Sequence, residues 1–312
     1  MPSVLVTGVN GFVGPYVSRE LDKNGIEVHG IAGPHNCHTN TDFASYQVVD
    51  LLEPDAVSEI DMTRIDSVIH LAGMVSVTDS FRNPDAYKSA NHLMQANLLN
   101  AANKQDASPR FVIASSGGVY DGSTSRPSEE TSDVNPLSPY TSSKIDQETT
   151  MQEYARKYGF SYAIVRGFNH IGPGMRQDFL VGSLARQLAR SINDDAPSLT
   201  VGNLNPSRDY VDVRDVAIAY RLLSGVEAPD GIYNVCSGRS LSGKEVLSKL
   251  IDIACIQPIV KIDPDLIRSA DTELSVGSFK KINAVTAWSP SIPIEVTLRD
   301  VFEYEKSKAA TS

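Results

Sequence analysis

Short apolar segments alternate with helical patterns through the first half of this 312-residue chain, and this alternation limits the fold more than any other feature. Six segments predict buried strands, because each is a short apolar run bounded by glycine or polar residues. They lie at 3–7, 26–32, 46–50, 68–72, 111–114 and 162–165. Strands at this spacing, separated by helices, predict βαβ units and an α/β fold with a doubly wound parallel sheet.

A glycine-rich segment joins the first predicted strand to the first predicted helix. Residues 7–14 read TGVNGFVG, with glycines at positions 8, 11 and 14. A tight turn of this kind lets the backbone approach a pyrophosphate at a helix N-terminus. The segment therefore predicts a dinucleotide-binding turn in a Rossmann-type sheet. The alternative is a turn that only packs the helix against the strand.

The end of the second predicted strand bears on the choice of cofactor. A carboxylate at this point marks NAD, and an arginine accommodates the extra phosphate of NADP. Residues 32–36 read AGPHN, and no Lys or Arg lies between Lys23 and Arg64. Since the acid that would repel a 2′-phosphate is missing, NADP(H) is favoured. NAD(H) is also allowed, because the expected cation is missing too.

Three polar residues follow the fifth predicted strand. Ser116 lies two residues after that strand, and Tyr140 and Lys144 lie one turn apart on one face of a predicted helix. Ligands of open α/β sheets bind at the carboxyl ends of the strands, so the three side chains are expected to meet. A neighbouring ammonium is expected to lower the Tyr140 pKa from about 10 toward neutrality. The alternatives are a turn serine and a surface Tyr–Lys pair.

Composition excludes several classes of function. The net charge of −10 argues against binding to nucleic acid or to an anionic membrane. Cys37, Cys236 and Cys255 are widely spaced and predict neither a disulfide framework nor a metal site. The chain begins directly with a strand pattern and contains no apolar run of membrane-spanning length, so a soluble cytoplasmic protein is expected.

The glycine turn, the Ser116 loop and the Tyr140-x-x-x-Lys144 helix together resemble the extended short-chain dehydrogenases/reductases, across essentially the whole chain. By that resemblance Ser116, Tyr140 and Lys144 form a catalytic triad, and Lys144 also binds the nicotinamide ribose. The residues that the resemblance places at the cofactor are Gly8, Asn10, Gly11, Phe12, Val13, Gly14, Asp50, Leu51, Leu71, Ala72, Gly73, Tyr140, Lys144 and Phe168. For Asp50 an alternative stays open, as the cap of a helix that begins at Pro54.

The resemblance also predicts domain organisation and assembly. Residues 1–166 with roughly 210–236 are expected to form the NAD(P)-binding Rossmann domain. Roughly 167–209 and 237–312 are expected to form a smaller, partly interleaved nucleotide-sugar-binding lobe. Family members are commonly homodimers through a four-helix bundle, to which the helices of Asn91 and Tyr140 would contribute here. Asn91 itself is expected to be exposed, although a buried polar role is an alternative.

Several segments resemble the substrate-binding parts of the family. Asn169 corresponds to a residue at a substrate phosphate, and Arg208 and Arg268 correspond to diphosphate-binding arginines. Two arginines with backbone amides suit a pyrophosphate. The strings FNHIGPG, RDYVDVRD and YNVCSG resemble members that reduce the 4-keto group of a GDP-6-deoxy-4-keto sugar, GDP-4-dehydro-6-deoxy-D-mannose, to GDP-D-rhamnose. For each arginine the alternative is a solvated surface charge.

Positions 117 and 118 lack a carboxylate, and this favours some reactions of the family over others. Sugar 4,6-dehydratases of the family that the chain resembles carry an acidic pair, or a single Glu, between the catalytic Ser or Thr and the following Tyr, where this chain has Gly117 and Gly118. Elimination of water is therefore poorly supported, whereas ketone reduction needs only the triad and the nicotinamide. A nucleotide-sugar 4-epimerase with tightly bound NAD is the main alternative. A catalytically silent nucleotide-binding sensor is less favoured, because Tyr140 and Lys144 are both present.

Overall fold

A parallel sheet forms the centre of the protein. The computed structural model describes residues 1–35, 43–120, 122, 126–267 and 272–310. The strands in this part of the chain are β1 (Ser3–Thr7), β2 (Glu27–Ala32), β3 (Ser45–Val48), β4 (Ser67–His70), β5 (Arg110–Ser116), β6 (Tyr162–Gly167), β7 (Asn169–Ile171), β8 (Ser198–Val201), β9 (Ser207–Asp212), β10 (Gly231–Val235), β11 (Ser240–Ser242), β12 (Ile259–Ile262) and β13 (Leu274–Ser275).

Helices connect most of these strands. They are α1 (Gly14–Lys23), α2 (Pro54–Ser58), α3 (Val77–Arg82), α4 (Pro84–Lys104), α5 (Pro139–Tyr158), α6 (Leu180–Arg190), α7 (Val213–Ser224), α8 (Gly243–Ala254), α9 (Lys280–Thr286) and α10 (Ile294–Ala310). Short 3₁₀ turns lie at Met62–Arg64, Gly117–Val119 and Pro264–Leu266. Within the described ranges, no helix combines the length and the apolar character needed to cross a bilayer.

Seven strands form the central sheet in the order β10-β6-β5-β4-β1-β2-β3, and every neighbouring pair is parallel. The order reverses beside β1, which leads into the glycine turn. Helices cover both faces of the sheet. The predicted α/β fold class, a Rossmann-type doubly wound parallel sheet, is therefore confirmed.

The alternation of side chains along β1 explains why both faces are covered. Val4 and Val6 pack with residues of α1 and α7 in one core, whereas Leu5 packs with residues of α4 and α5 in another. All five residues of β1 are buried, as is typical of a central parallel strand. Burying a side chain of this size contributes roughly 1.5–3 kcal/mol, so a charged residue at Val6 would disrupt the sheet.

Residues after Ile171 build a separate apolar core. It draws on α6, α8 and α10 and on Leu199 and Val201 of β8. A small sheet in which β9 pairs with β7, β11 and β13 lies next to it, and β8 pairs with β12. The segment around α9 differs, because Ile282 and Trp288 pack into the core on the α1 and α7 face of the central sheet.

Local sequence fixes the start of α5, the helix that carries Tyr140 and Lys144. Ser138 caps the helix, and its hydroxyl accepts from the Thr141 amide while the Thr141 hydroxyl accepts from the Ser138 amide. Pro139 occupies the first turn, where its missing N–H costs no hydrogen bond. The helix ends at Gly159, which has a positive φ of 79°. Tyr140 is thereby held in the first turn.

Candidate active site

The carboxyl ends of β1, β4 and β5 lie side by side and form the floor of the site. Thr7 is paired with His70 in the sheet register, and His70 with Ile113. The Thr7 hydroxyl lies 2.8 Å from Nδ1 of His70 and accepts from the Ala72 amide at 3.3 Å. Burial, and secondarily the Lys144 charge, lower the His70 pKa to about 3, so this histidine is neutral at physiological pH.

The glycine turn has the close contacts that its sequence predicts. Gly8 has a φ of +69°, and a Cβ there would lie 2.7 Å from the Ala72 amide nitrogen. A Cβ on Gly14, the first residue of α1, would overlap the carbonyl oxygens of Gly8 and Val9. The first turn of α1 carries no acidic residue, and none of the described side chains caps it. The N-terminus of α1 therefore presents no negative charge to an anion such as a pyrophosphate.

The predicted cofactor residues after β4 lie between this turn and Lys144. The Leu71 amide donates to the Thr7 carbonyl at 3.2 Å, which holds this segment beside the glycine turn. A Cβ on Gly73 would lie 3.0 Å from Oδ1 of Asn91 and 3.6 Å from Nζ of Lys144. A side chain at this position would therefore press against Asn91.

Asp50 and Leu51, two of the predicted cofactor residues, each accept a hydrogen bond. Oδ1 of Asp50 accepts from the Leu52 amide at 3.0 Å, and the cap position of α2 is occupied by Glu53. The alternative interpretation of Asp50 as the cap of that helix is therefore wrong. Leu51 is buried, and its carbonyl accepts from the Asn97 side chain at 2.9 Å.

The remaining predicted cofactor residues of the turn contact neighbouring parts of the protein. Asn10 donates to the Tyr46 hydroxyl at 2.9 Å. Val13 precedes the first residue of α1 and packs against the core on that face of the sheet. Phe12 instead packs against the separate core of α6, α8 and α10. The turn therefore contacts both the central sheet and the helices that follow Ile171.

The structure brings the predicted triad together. Ser116 ends β5, and its hydroxyl accepts from the Gly118 amide at 3.1 Å. Tyr140 is half-buried, and its hydroxyl is near enough to the Ser116 side chain for that serine to act on the Tyr140 pKa. Nζ of Lys144 lies 5.8 Å from the centroid of the Tyr140 ring. A serine, a phenol and an ammonium therefore share one site at the end of β5.

Burial raises the Tyr140 pKa to about 12, although the neighbouring Ser116 side chain acts in the opposite direction. The prediction that Lys144 lowers this pKa toward neutrality is wrong for this structure. Its ammonium is engaged by two acceptors, since Nζ donates to the Ala114 carbonyl and to Oε1 of Gln147, both at 2.9 Å. Tyr140 is consequently protonated at neutral pH.

Lys144 is almost completely buried, which lowers its pKa to about 8, and the Glu148 carboxylate opposes that shift. Its acceptor Gln147 is fixed in turn, because the Gln147 amide donates to the Asn91 carbonyl at 3.0 Å. Asn91 is completely buried, so its expected exposure is wrong and the buried polar alternative is right. Its side chain also donates to Ser143 at 2.9 Å.

Three supporting residues were not singled out from the sequence: Gln147, Glu148 and Arg166. Arg166 donates to both carboxylate oxygens of Glu148, at 2.9 and 2.6 Å, and both side chains are 5% exposed. The available signal was their position, since Gln147 and Glu148 follow Lys144 by three and four residues and so lie on its face of the helix.

Gly117 leaves space for the ring of Phe168, a predicted cofactor residue. A Cβ on Gly117 would lie 2.8 Å from that ring, and a Cβ on Gly277 would meet the ring from another side. Phe168 is buried and stacks on Tyr120 with 6.2 Å between ring centroids. A carboxylate side chain at position 117 would therefore have to displace Phe168.

The comparison with known families decides the relationship. The model of the NAD dependent epimerase/dehydratase family matches residues 4–236, which is most of the chain. The chain belongs to this family. Its sequence is also 35% identical to GDP-6-deoxy-D-mannose reductase of Pseudomonas aeruginosa, over 98% of this chain and 97% of that protein. The predicted membership in the extended short-chain dehydrogenases/reductases is confirmed.

Solved structures of the family share the fold along the full chain. The structure of RMD from Pseudomonas aeruginosa complexed with NADPH matches with a TM-score of 0.86 and 33% identity, and covers 99% of this chain and 100% of that one. The UDP-glucose 4-epimerase of Thermus thermophilus in complex with NAD matches with a TM-score of 0.88 and 28% identity, over 97% and 99%. Relatives with either cofactor and different reactions therefore have this fold.

The predicted substrate residues lie beyond the triad. Asn169 is exposed and donates to the Asp209 carbonyl at 3.1 Å, which places it beside Arg208 on β9. Arg208 is half-buried, and Nη1 donates to the Ser207 carbonyl at 2.9 Å. The structure thus brings Asn169 and Arg208 together. Arg268 lies outside the described residues.

Asp209 fixes this region. Its carboxylate accepts from the amide and hydroxyl of Ser237, both at 2.7 Å, and from the amides of Gly238 at 2.9 Å and Gly277 at 3.2 Å. Burial raises the pKa of Asp209, and these hydrogen bonds oppose the shift. The carboxylate ties β9 to the segment that packs on Phe168.

No group of three or more His, Cys, Asp or Glu side chains within the described ranges is arranged to hold a metal ion. Of the cysteines, Cys236 is buried and Cys255 is exposed, and both have free thiols. Cys37 lies outside the described residues.

Proposed function

We propose that the protein reduces the 4-keto group of GDP-4-dehydro-6-deoxy-D-mannose to GDP-D-rhamnose with NAD(P)H. One observation carries this proposal, namely a protonated Tyr140 next to Ser116, beside a position 117 that has no space for a second base. A 4,6-dehydratase needs a base there, whereas a ketone reductase needs only a proton donor. The 35% identical reductase of Pseudomonas aeruginosa supports the choice of sugar and nucleotide.

The residues of the site suit proton transfer to a developing alkoxide. The reduced nicotinamide supplies the hydride when it is bound. Tyr140 donates its proton to the oxygen at C4 of the sugar, and a phenol with a pKa near 12 keeps that proton until the alkoxide forms. The Ser116 hydroxyl holds the same oxygen, and the Lys144 ammonium lies beside Tyr140, with Nζ 5.8 Å from the centroid of the ring, so the site carries positive charge where the alkoxide forms.

The residues present fit a dinucleotide. Gly8, Gly11 and Gly14 give the turn a surface without side chains, and the N-terminus of α1, whose first turn carries no acidic residue, suits the pyrophosphate. Asp50, Leu71, Ala72, Gly73 and Phe168 are proposed to line the rest. NADP(H) is favoured and NAD(H) is allowed, in agreement with a relative that binds NADPH and another that binds NAD.

The nucleotide sugar is proposed to bind between the two parts of the chain. Asn169, Arg208 and Arg268 are proposed to contact the diphosphate, supported by the proximity of Asn169 to β9. The proposed Rossmann domain comprises residues 1–166 and roughly 210–236, and the proposed sugar-binding lobe comprises roughly 167–209 and 237–312.

A homodimer is also proposed, through α4 and α5. The two helices pack along each other on one face of the sheet. Leu93 of α4 is 44% exposed, and Phe81 of the preceding helix is 55% exposed. A second copy of the chain would cover these apolar side chains in a four-helix bundle.

A nucleotide-sugar 4-epimerase is the second candidate. It is supported by the Thermus thermophilus epimerase, whose fold matches with a TM-score of 0.88. An epimerase retains NAD and does not consume it, so mass spectrometry of the small molecules released on denaturation separates the two functions. The reductase proposal predicts that the purified protein releases no stoichiometric NAD and requires added cofactor.

The direct test is an assay with the purified protein, the GDP-4-keto-6-deoxy sugar and either NADPH or NADH. The wild-type protein is expected to oxidise the cofactor, faster with NADPH. Tyr140→Phe, which removes only the hydroxyl, should lower kcat by at least about 100-fold. Circular dichroism controls for folding. If the cofactor persists with this substrate while UDP-hexoses interconvert, the epimerase is the correct function.

A further inference from the structure

A buried ion pair lies behind the catalytic lysine. Glu148 follows Lys144 by one helical turn on α5, and Arg166 projects from β6. Arg166 donates to both carboxylate oxygens, and each of the two side chains is 5% exposed. Such a pair costs desolvation energy and is weak support for a purely stabilising role.

The carboxylate also reaches the strand that carries Ser116. The Ser115 hydroxyl donates to Oε1 of Glu148 at 2.5 Å, and Ser115 is the residue directly before Ser116. Ser115 is paired with Arg166 in the register of β5 and β6. One turn earlier, Lys144 donates to the Ala114 carbonyl at 2.9 Å. Two successive turns of α5 are thus hydrogen-bonded to two successive residues of β5.

Arg166 extends the contact to the pocket of Phe168. Its guanidinium lies 4.9 Å from the centroid of the Tyr120 ring, on which Phe168 stacks. Tyr120 is fixed in turn, because its hydroxyl donates to Oδ1 of Asn234 at 2.6 Å. Arg166 therefore connects α5, the end of β5 and the Phe168 pocket.

The titratable groups around Lys144 come from three elements. The charged groups are the Glu148 carboxylate on α5 and the Arg166 guanidinium on β6. Two titratable groups near Lys144 are neutral, namely Tyr140 on α5 and His70 on β4. The Glu148 carboxylate acts against the lowering of the Lys144 pKa by burial. Burial would lower the pKa of Arg166, but its bonds to Glu148 raise it above the ordinary range, so the guanidinium stays charged.

We propose that Glu148 and Arg166 are a positioning pair, which fixes the distance between Ser116 and the Tyr140–Lys144 face of α5, and that the Glu148 carboxylate also places negative charge one helical turn from Lys144. Geometry and charge make separate predictions. Glu148→Gln keeps the size of the side chain but removes the charge. Ser115→Ala removes the fastening to β5 but leaves both charges in place.

The charge is tested by following the ¹³C shift of the Lys144 ε-carbon during a pH titration, with the signal assigned by its loss in Lys144→Arg. The wild-type midpoint is expected near 8, and Glu148→Gln should lower it by about one unit, because an uncompensated Arg166 and a missing carboxylate both disfavour the ammonium. Glu148→Asp restores the charge and should restore the midpoint. Glu153→Gln, an exposed carboxylate on the same helix, is the matched control.

The geometry is tested through turnover, and this part rests on the proposed function. Ser115→Ala and Glu148→Asp should each lower kcat by about tenfold while the Lys144 midpoint stays at its wild-type value. A Glu148→Gln midpoint equal to that of Glu153→Gln, or an unchanged kcat in Ser115→Ala, would overturn the proposal. If Glu148→Gln does not fold, Ser115→Ala and Glu148→Asp still decide it. A wild-type protein without reductase activity refutes the proposed function, and the substrate-free titration then decides the charge alone.

Discussion

Burial acts on two neighbouring side chains of α5 in opposite directions. It raises the Tyr140 pKa to about 12 and lowers the Lys144 pKa to about 8, because in each case a low-dielectric surrounding favours the neutral form. Below a pH of about 8 the site therefore holds a phenol and an ammonium together. That combination is suited to donating a proton to a reduced carbonyl oxygen.

The pKa values of Lys144 and Tyr140 predict how the rate of the reduction depends on pH. The Lys144 ammonium is present below its lowered pKa and is lost as the pH rises, so kcat/KM should fall through a pH of about 8. Tyr140 stays protonated over that range and should add no second limb below a pH of about 11. A profile of kcat/KM between about pH 6 and 10 measures this. A rate that stays constant throughout would contradict the role of Lys144.

At the scale of elements, the strand-turn-helix unit at the N-terminus carries the cofactor site. Gly8 and Gly25 flank α1 and have nearly the same φ, +69° and +70°. They differ in surroundings, since a Cβ on Gly8 would lie 2.7 Å from the Ala72 amide nitrogen while nothing lies within 4 Å of one on Gly25. The two positions therefore separate backbone strain from close approach.

Gly8→Ala should weaken NADPH binding by at least about tenfold, because the turn must move away from Ala72 to accept a methyl group. Gly25→Ala has the same left-handed backbone and should cost about 1–2 kcal/mol of unfolding free energy without changing NADPH affinity. Isothermal titration with NADPH and thermal unfolding of both variants measure the two effects. Equal NADPH affinities in the two variants would show that the turn does not contact the cofactor.

The elements also show what the sequence predicts and what it leaves open. The strands, the glycine turn and the triad are predictable, because each is encoded by neighbouring residues and the ends of parallel strands converge. The Lys144 environment is not, because the Asn91–Gln147 and Glu148–Arg166 contacts join helices and strands that are distant in sequence. The sign of the Tyr140 pKa shift was wrong for the same reason, since burial is a property of the packed structure.

At the scale of the whole molecule, the apolar cores on the central sheet are distinct from the core that the later helices form. The central sheet supplies the glycine turn and the triad, and the helices after Ile171 pack around a core of their own. Asp209 joins β9 to two later segments of the chain, since its carboxylate accepts from the backbone amides of Ser237, Gly238 and Gly277. Phe168 lies at this junction, against Gly117 and Gly277.

The exposed apolar side chains of α3 and α4 predict assembly. Light scattering should give about twice the chain mass of 33.8 kDa, as expected for a homodimer. Leu93→Lys should shift the mass to that of one chain, because it would bury a charge in the proposed four-helix bundle. Val226→Lys, at an 80% exposed position far from α4 in sequence, is the control and should leave the mass unchanged. A wild-type monomer would contradict the proposed assembly.

The origin of the hydrogen at C4 of the product tests the proposed reaction most directly. NADPH deuterated at the transferred position is supplied with the GDP-4-keto-6-deoxy sugar, and the product is examined by NMR and mass spectrometry. The reductase proposal predicts one deuterium at C4 per NADPH oxidised, in a product of rhamno configuration, and no turnover with Tyr140→Phe. Product formation without deuterium at C4 and without NADPH oxidation would contradict it.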